Sequence, residues 1–326
     1  MRRWKLPRSR PYRYDWAARP SWRAGGTAAV AALAAVGVAL LLHQTGALEA
    51  LELKTVDARF SLRGSHKPPA TVLIVGIDPQ TFSRLQLQWP FPRSLHGRVI
   101  ELLRRDGAKA IVYDVQFTEP TTPADRSQSV RHAAIDQDDA LIRAVQKAGN
   151  VVLASSEVGR HGETAIFGGG GVLARIRARA GAAIFPPDSD GVDRRMILSY
   201  RGLRTLGIVG AEVASGQALS TSALGGGRAW IDFVGPPGTV TEVSFASVLR
   251  GQVPASTFAG KTVVVGATAS NLQDVHATPV DGPELMSGPE LTANALITAQ
   301  NGFPLQATAG YLALFLIVAL GVVAPL

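Results

Sequence analysis

The sequence predicts an α/β fold: a mostly parallel sheet with flanking helices, plus an N-terminal transmembrane helix and part of a second at the C-terminus. Three observations predict it. Short β-rich apolar runs recur, at Val72–Ile77, Ala110–Val115 and Thr262–Gly266, and such runs belong to a sheet covered on both faces. Segments with apolar residues at helical spacing alternate with them. Uncharged stretches occupy both ends, Ala24–Leu42 and Leu291–Leu326.

Residues 1–23 form a basic tail, with eight Arg and Lys against Asp15, which accounts for +7 of the chain's +8. The charge therefore belongs to the flank of an apolar segment rather than to a nucleic-acid surface, and no nucleic-acid partner is expected. At ~1.5 Å per residue, Ala24–Leu42 reaches roughly the thickness of a bilayer core. The charge step orients it: the tail stays cytoplasmic, residues 24–43 span the membrane, and residues 44–306 are exported to the periplasm or cell exterior. A cleaved signal peptide is the alternative. The long basic region and the length of the apolar run favour an uncleaved inner-membrane anchor.

Within the exported part, Val72–Ile77 reads as a strand ended by Asp78-Pro79. Ser94–Asp106 reads as a helix with Leu95, Val99, Leu102 and Leu103 on one face, Ser94 as its N-cap and Gly107 as its stop. Ala110–Val115 completes a β–α–β unit with a right-handed crossover. Asp139–Ala148 is the next helix and Val151–Ala154 the next strand, followed by a glycine-rich loop over Arg160–Gly171. Met196–Tyr200 and Ala229–Val234 read as strands around a helix from about Thr205 to Leu219. Thr262–Gly266 is a last buried strand, and Pro289–Gln300 a helix leading to residues 307–326, the expected start of a second membrane region. That region ends without a basic flank, so a longer native chain is expected.

There is no cysteine, which excludes disulfides and thiolate chemistry. Ala255–Thr262, ASTFAGKT, fits a relaxed phosphate-loop pattern, but the strand follows the loop instead of preceding it, so Lys261 reads as a turn residue. Gly168–Gly171 lacks the strand–helix setting of a dinucleotide site and reads as a surface loop. His96, His132, His161 and His276 show no metal-ligand spacing on one helix, and no nucleophile elbow is present. No cofactor and no catalytic residue are assigned, and a metal role is left open.

Asp78 and Asp114 both stand at the carboxyl ends of strands, where open α/β sheets bind ligands. Brought together, they would hold a cation, a cationic ligand or Arg93. Glu119 and Asp274 are further candidates. The competing reading is that the aspartates cap helices and pin loops. Trp89 and Phe91, in the stiff Trp89-Pro90-Phe91-Pro92-Arg93 segment, read as core packing ahead of a pocket wall.

Several motifs occur in order: Val75-Gly76-Ile77-Asp78, Trp89–Arg93 with His96, Gly107–Ile111 followed by Tyr113–Phe117, Gly191-Val192-Asp193-Arg194-Arg195, Phe258–Thr268, Asp274, Thr278-Pro279, Gly288-Pro289-Glu290 and Ala293-Asn294-Ala295. Over residues 48–305 the chain resembles the type-two CHASE domain, a cyclase/histidine-kinase-associated sensory extracellular domain. Two departures stand out. Thr292 occupies a place where histidine is common, and Gly288-Pro289-Glu290 is offset from the usual Gly-Val-Glu. The resemblance implies an extracytoplasmic ligand sensor, anchored before the domain and followed by closely spaced membrane helices. It also implies a cytoplasmic nucleotide cyclase or protein kinase as output. The expectation is a non-enzymatic sensory module with the membrane and an unidentified ligand as partners, working as a homodimer. A membrane-anchored hydrolase using Asp78 and Asp114, and a scaffold without a ligand, are the rival readings.

Overall fold

A computed structural model describes residues 22–44, 49–119, 128–221, 224, 227–280, 282, 284–306 and 318–319. These fall into two units, one within residues 1–51 and 308–326, the other Glu52–Ala307. The first contains α1 (Trp22–Gln44), so the expected span at 24–43 is helical. Among the described residues, no helix is long and apolar enough to cross a membrane. Most of the basic tail and most of the expected second span lie outside the described residues.

The second unit takes in most of α2 (Glu49–Arg63), followed by β1 (Val72–Ile77), α3 (Pro79–Leu85), α4 (Arg93–Arg105) and β2 (Ala110–Gln116). Next come α5 (Gln128–Ala148), β3 (Val151–Ser155), α6 (Gly170–Arg175) and β4 (Arg179–Ala182). An irregular middle section holds the short strands β5 (Arg195–Ile197), β6 (Ser199–Tyr200), β7 (Leu203–Arg204) and β8 (Arg228–Trp230) around α7 (Leu206–Ser215). The chain then forms β9 (Glu242–Ser244), α8 (Phe245–Leu249), β10 (Thr262–Ala267), the hairpin strands β11 (Val275–His276) and β12 (Met286–Ser287), and α9 (Gly288–Gln300).

The main sheet has the order β4-β3-β2-β10-β1-β9, with every neighbouring pair parallel. Its strands alternate sides as the period of two requires. Val72, Ile74, Val112 and Val264 join Ile208, Val209, Leu291 and Leu296 of α7 and α9 in one core. Leu73, Val75, Tyr113, Val263 and Val265 join Val99, Leu103, Leu141 and Phe245 of α4, α5 and α8 in the other. Burial on both sides explains why the strands read as continuous apolar runs. Phe91 is buried in the second core, edge-on to Trp89 at 5.4 Å and stacked on His96, so the packing reading holds for it. His96 Nδ1 and the Tyr113 hydroxyl are 2.8 Å apart; burial, with the Arg93 charge adding to it, lowers the histidine to about 3, and it is neutral.

Several expectations about elements need correction. The strand expected over Met196–Tyr200 divides into β5, paired with β8, and β6, paired with β7. The helix expected from Asp139 begins at Gln128, and the helix expected to reach about Leu219 ends at Ser215. Ser94 is not the N-cap of α4: that position is Pro92, which offers no side-chain bond, and helix geometry already begins at Arg93. Proline's fixed φ leads the chain into the helix one residue early, and the Pro92 carbonyl accepts from the Leu95 amide at 2.9 Å. The strand expected over 229–234 ends at Trp230. Beyond it Ile231 N still reaches the Arg194 carbonyl, but the amides of Asp232, Val234, Gly238 and Val240 are taken by side chains of α9 rather than by a strand. Thr298 Oγ1 accepts from Asp232 N (2.8 Å), Asn294 Oδ1 from Val234 N (3.0 Å), and Glu290 from Gly238 N (2.8 Å) and Val240 N (3.1 Å). Positions 290, 294 and 298 follow one another at one-turn spacing, so a single face of a buried helix satisfies this segment.

Candidate functional site

The carboxyl edge of the sheet is built around a row of aligned positions. Gly76 of β1, Gly266 of β10 and Asp114 of β2 stand in register. A Cβ on Gly266 would lie 2.5 Å from Pro289 Cγ and 3.0 Å from the Asp114 carbonyl, so only glycine lets α9 and β2 close over β10 there.

Asp114 is half-buried at this edge, and its Oδ2 accepts from the Thr292 hydroxyl at 2.7 Å. Burial pushes its carboxyl up to about 7, and the Asp274 charge adds to this. The Thr292 bond and His276 act in the opposite direction. Asp274 and His276 arrive on the segment that follows β10 and enters the β11–β12 hairpin, where His276 lies opposite Met286. His276 Nε2 is 3.4 Å from Asp274 Oδ1, and its Nδ1 is 2.8 Å from Asp193 Oδ2. Burial opposes protonation of the ring, but the hydrogen bonds and charges of Asp193 and Asp274 outweigh it and raise the imidazole to about 9. Near neutral pH the cluster thus holds an imidazolium among three carboxyl groups. Gly288, at the start of α9, leaves room for Asp274: a Cβ there would lie 2.3 Å from both carboxylate oxygens.

The five residues singled out in the sequence divide. Asp114 and Asp274 come together. Asp78 stands on the same sheet edge, but β10 intervenes between β1 and β2, and Asp78 is occupied as a cap. Its Oδ1 accepts from Thr81 N (2.7 Å), the Thr81 hydroxyl (2.6 Å) and the Ser244 hydroxyl (2.9 Å). For Asp78 the capping reading is the right one. Arg93 does not serve the aspartates. It pairs with Asp138 of α5 at 3.1 Å, lies over the Phe117 ring at 5.6 Å and donates to the Glu119 carbonyl. Glu119 is exposed and meets Arg93 through that backbone oxygen.

His276, Asp193 and Thr292 were not singled out as site residues. The usable signal was Asp274-x-His276, two residues apart in an extended segment and so turned to one side. The turn reading at Lys261 agrees with the structure: Lys261 closes a turn before β10, its amide on the Phe258 carbonyl at 3.0 Å. The loop expected over Gly168–Gly171 gives way to helix: Gly168 ends a 3-10 turn, and Gly170 and Gly171 open α6.

On the other side of β10, Glu242 of β9 accepts from the Thr268 hydroxyl at 2.7 Å, and burial raises its carboxyl. A Cβ on Gly76 would fall 1.9 Å from that Glu242 oxygen. Among the described residues no group of three or more histidine and acidic side chains is placed to hold a metal ion. An open concavity beside β3, lined by Ser156, Thr164, Tyr200 and Arg201, contains none of the edge residues. Its Arg201 is engaged by the Val158 carbonyl at 3.0 Å.

The family model of the CHASE2 domain matches residues 30–324. No curated protein and no solved structure matches the chain.

Proposed function

This chain belongs to the CHASE2 domain family of sensory extracellular modules, and from that premise we propose that it senses a cationic, amine-type ligand at the Asp114–Asp274–His276–Asp193 cluster. The observation that carries the reading is the pair Asp114 and Asp274. Two carboxyl groups lie close enough at the carboxyl edge of a parallel sheet for the charge of one to raise the other. That edge is where open α/β sheets receive ligands, and an arriving cation would relieve the repulsion.

The wider setting belongs to the same proposal. Residues 24–43 anchor the chain in the inner membrane with residues 1–23 in the cytoplasm, residues 44–306 face the periplasm or exterior, and residues 307–326 begin a second membrane region. The charge step across Ala24–Leu42 supports this. The module works as a homodimer and governs a cytoplasmic nucleotide cyclase or protein kinase through its membrane segments, binding favouring one of two arrangements.

Two measurements test it. A periplasm-dependent phosphatase reporter fused after residue 60 should be active, and an inactive fusion present at full length in the membrane fraction overturns the orientation. Spermidine should raise the melting temperature of the full chain, by about 2.7 kcal/mol of stability at a hundredfold excess over its dissociation constant. The rise should vanish in Asp274→Asn. No shift with spermidine or with smaller diamines sinks the cationic reading.

A further inference from the structure

We infer that the loop of residues 188–195 couples this cluster to helix α2. Asp193 and Arg194, adjacent in the chain, hold His276 on one side and Asp57 of α2 on the other. The inference rests on reading the cluster as the sensing site, and adds how a change there leaves it.

Arg194 is fully buried. Its Nε and Nη2 donate to the two carboxylate oxygens of Asp57 at 2.6 and 2.8 Å. Nη1 and Nη2 donate to Asp190 at 2.8 Å each, and Nη1 reaches Asp188 at 3.3 Å. Arg195 also grips Asp188. The loop is braced internally by Gly191 N on the Asp188 carbonyl (2.9 Å) and Asp188 N on the Val192 carbonyl (3.0 Å). It is bound outward on both sides: Asp193 N donates to the Ala277 carbonyl at 2.8 Å, and Ile231 N to the Arg194 carbonyl at 3.0 Å. A braced loop of this kind moves as one piece, and both its grips move with it.

The Asp193 carboxylate is also unfinished. Its Oδ2 takes His276, while its Oδ1 is buried without a hydrogen-bond partner among the described residues. A donor entering the cluster would find an acceptor there, and a shift of Asp193 shifts the residue bonded to it through the backbone, Arg194. Asp57 is the receiving end. It lies one turn before Phe60, which packs edge-on to Phe233 at 5.8 Å, and two turns before Arg63, which reaches the Phe233 carbonyl at 2.6 Å. In sequence, α2 is the element that follows the apolar segment 24–42.

Hydrogen exchange on the full chain, with no ligand added, tests the coupling. In His276→Ala, amides of residues 53–63 should exchange about tenfold faster while those of β1 and β10 stay at parent rates, since coupling between sites typically spans 5–150-fold. His276→Asn, which keeps a donor towards Asp193, should recover much of the protection. Linkage is reciprocal, so Asp57→Asn should speed exchange of the Asp193 amide by a similar factor. Unchanged exchange of residues 53–63 in His276→Ala overturns the inference. If that variant also loosens β10, the Asp57→Asn arm decides, and a parent-like Asp193 amide overturns it. The spermidine measurement is independent: binding without coupling fails only this inference, and coupling without binding fails only the ligand reading.

Discussion

Asp114→Asn should stabilise the protein at alkaline pH and do little in acid. The Asp114 carboxyl stands at about 7, against 3.8 for the unperturbed group, chiefly because burial disfavours its charge and Asp274 repels it. The folded state therefore binds this proton more tightly than the unfolded chain. Folding takes up a proton between the two values, and stability falls as the pH rises from about 4 to about 7. At about 1.4 kcal/mol for each tenfold in proton affinity, the full cost above pH 7 is about 4 kcal/mol. Asparagine removes the charge, keeps an acceptor for Thr292 and carries a smaller desolvation cost of its own, so a net gain of about 2 kcal/mol is expected. The assay is urea denaturation of the full chain and the variant at about pH 4 and about pH 8. A gain at pH 8 that disappears at pH 4 supports the assignment. A variant no more stable than the parent at pH 8, or one whose gain is the same at both, refutes the claim that a strained carboxylate is kept at this edge at the expense of stability.

Two further outcomes follow from packing. Arg194→Met leaves Asp57 and Asp190 without the guanidinium between them, and breaking a buried ion pair from one side typically costs about 3–5 kcal/mol. A loss below about 1 kcal/mol in chemical denaturation would show that the cluster rearranges freely around the gap. Gly266→Ala places a methyl against Pro289 and the Asp114 carbonyl, and overpacking of this kind should cost about 1–3 kcal/mol, read as a lowered melting temperature. An unchanged melting temperature would show that α9 yields at its first turn.

The sheet was legible in outline because its central strands are buried on both faces, which leaves an unmistakable local imprint in VLIVGI and TVVVG. Their order was not legible. β10 inserts between β1 and β2 from about 150 residues downstream of β2, and no local periodicity encodes that pairing. The same insertion explains the mixed outcome at the candidate site. Asp78 and Asp114 were rightly placed on one edge, yet β10 separates them, and the segment it carries behind it delivers Asp274 and His276 to Asp114 instead. Arg93 offered a counter-charge to the aspartates in sequence terms, whereas its partner, Asp138, comes from a helix that begins after β2. Spacing along a helix does not reveal His276, because its partners are Asp274, two residues before it at the entry to β11, and Asp193, more than 80 residues upstream. The curtailed strand after Trp230 had no local signal either, since its amides are claimed by a helix some 60 residues later.

That last arrangement limits how α9 can move. Three rungs one turn apart, Glu290, Asn294 and Thr298, fasten the helix to residues 232–240. A slide of one or two ångströms, or a small rotation, would strip all the rungs together and strand buried amides. The helix can travel with the segment it grips, or jump by a whole turn, about 5.4 Å, but it cannot creep. Any message that leaves the domain along α9 is therefore stepwise rather than graded.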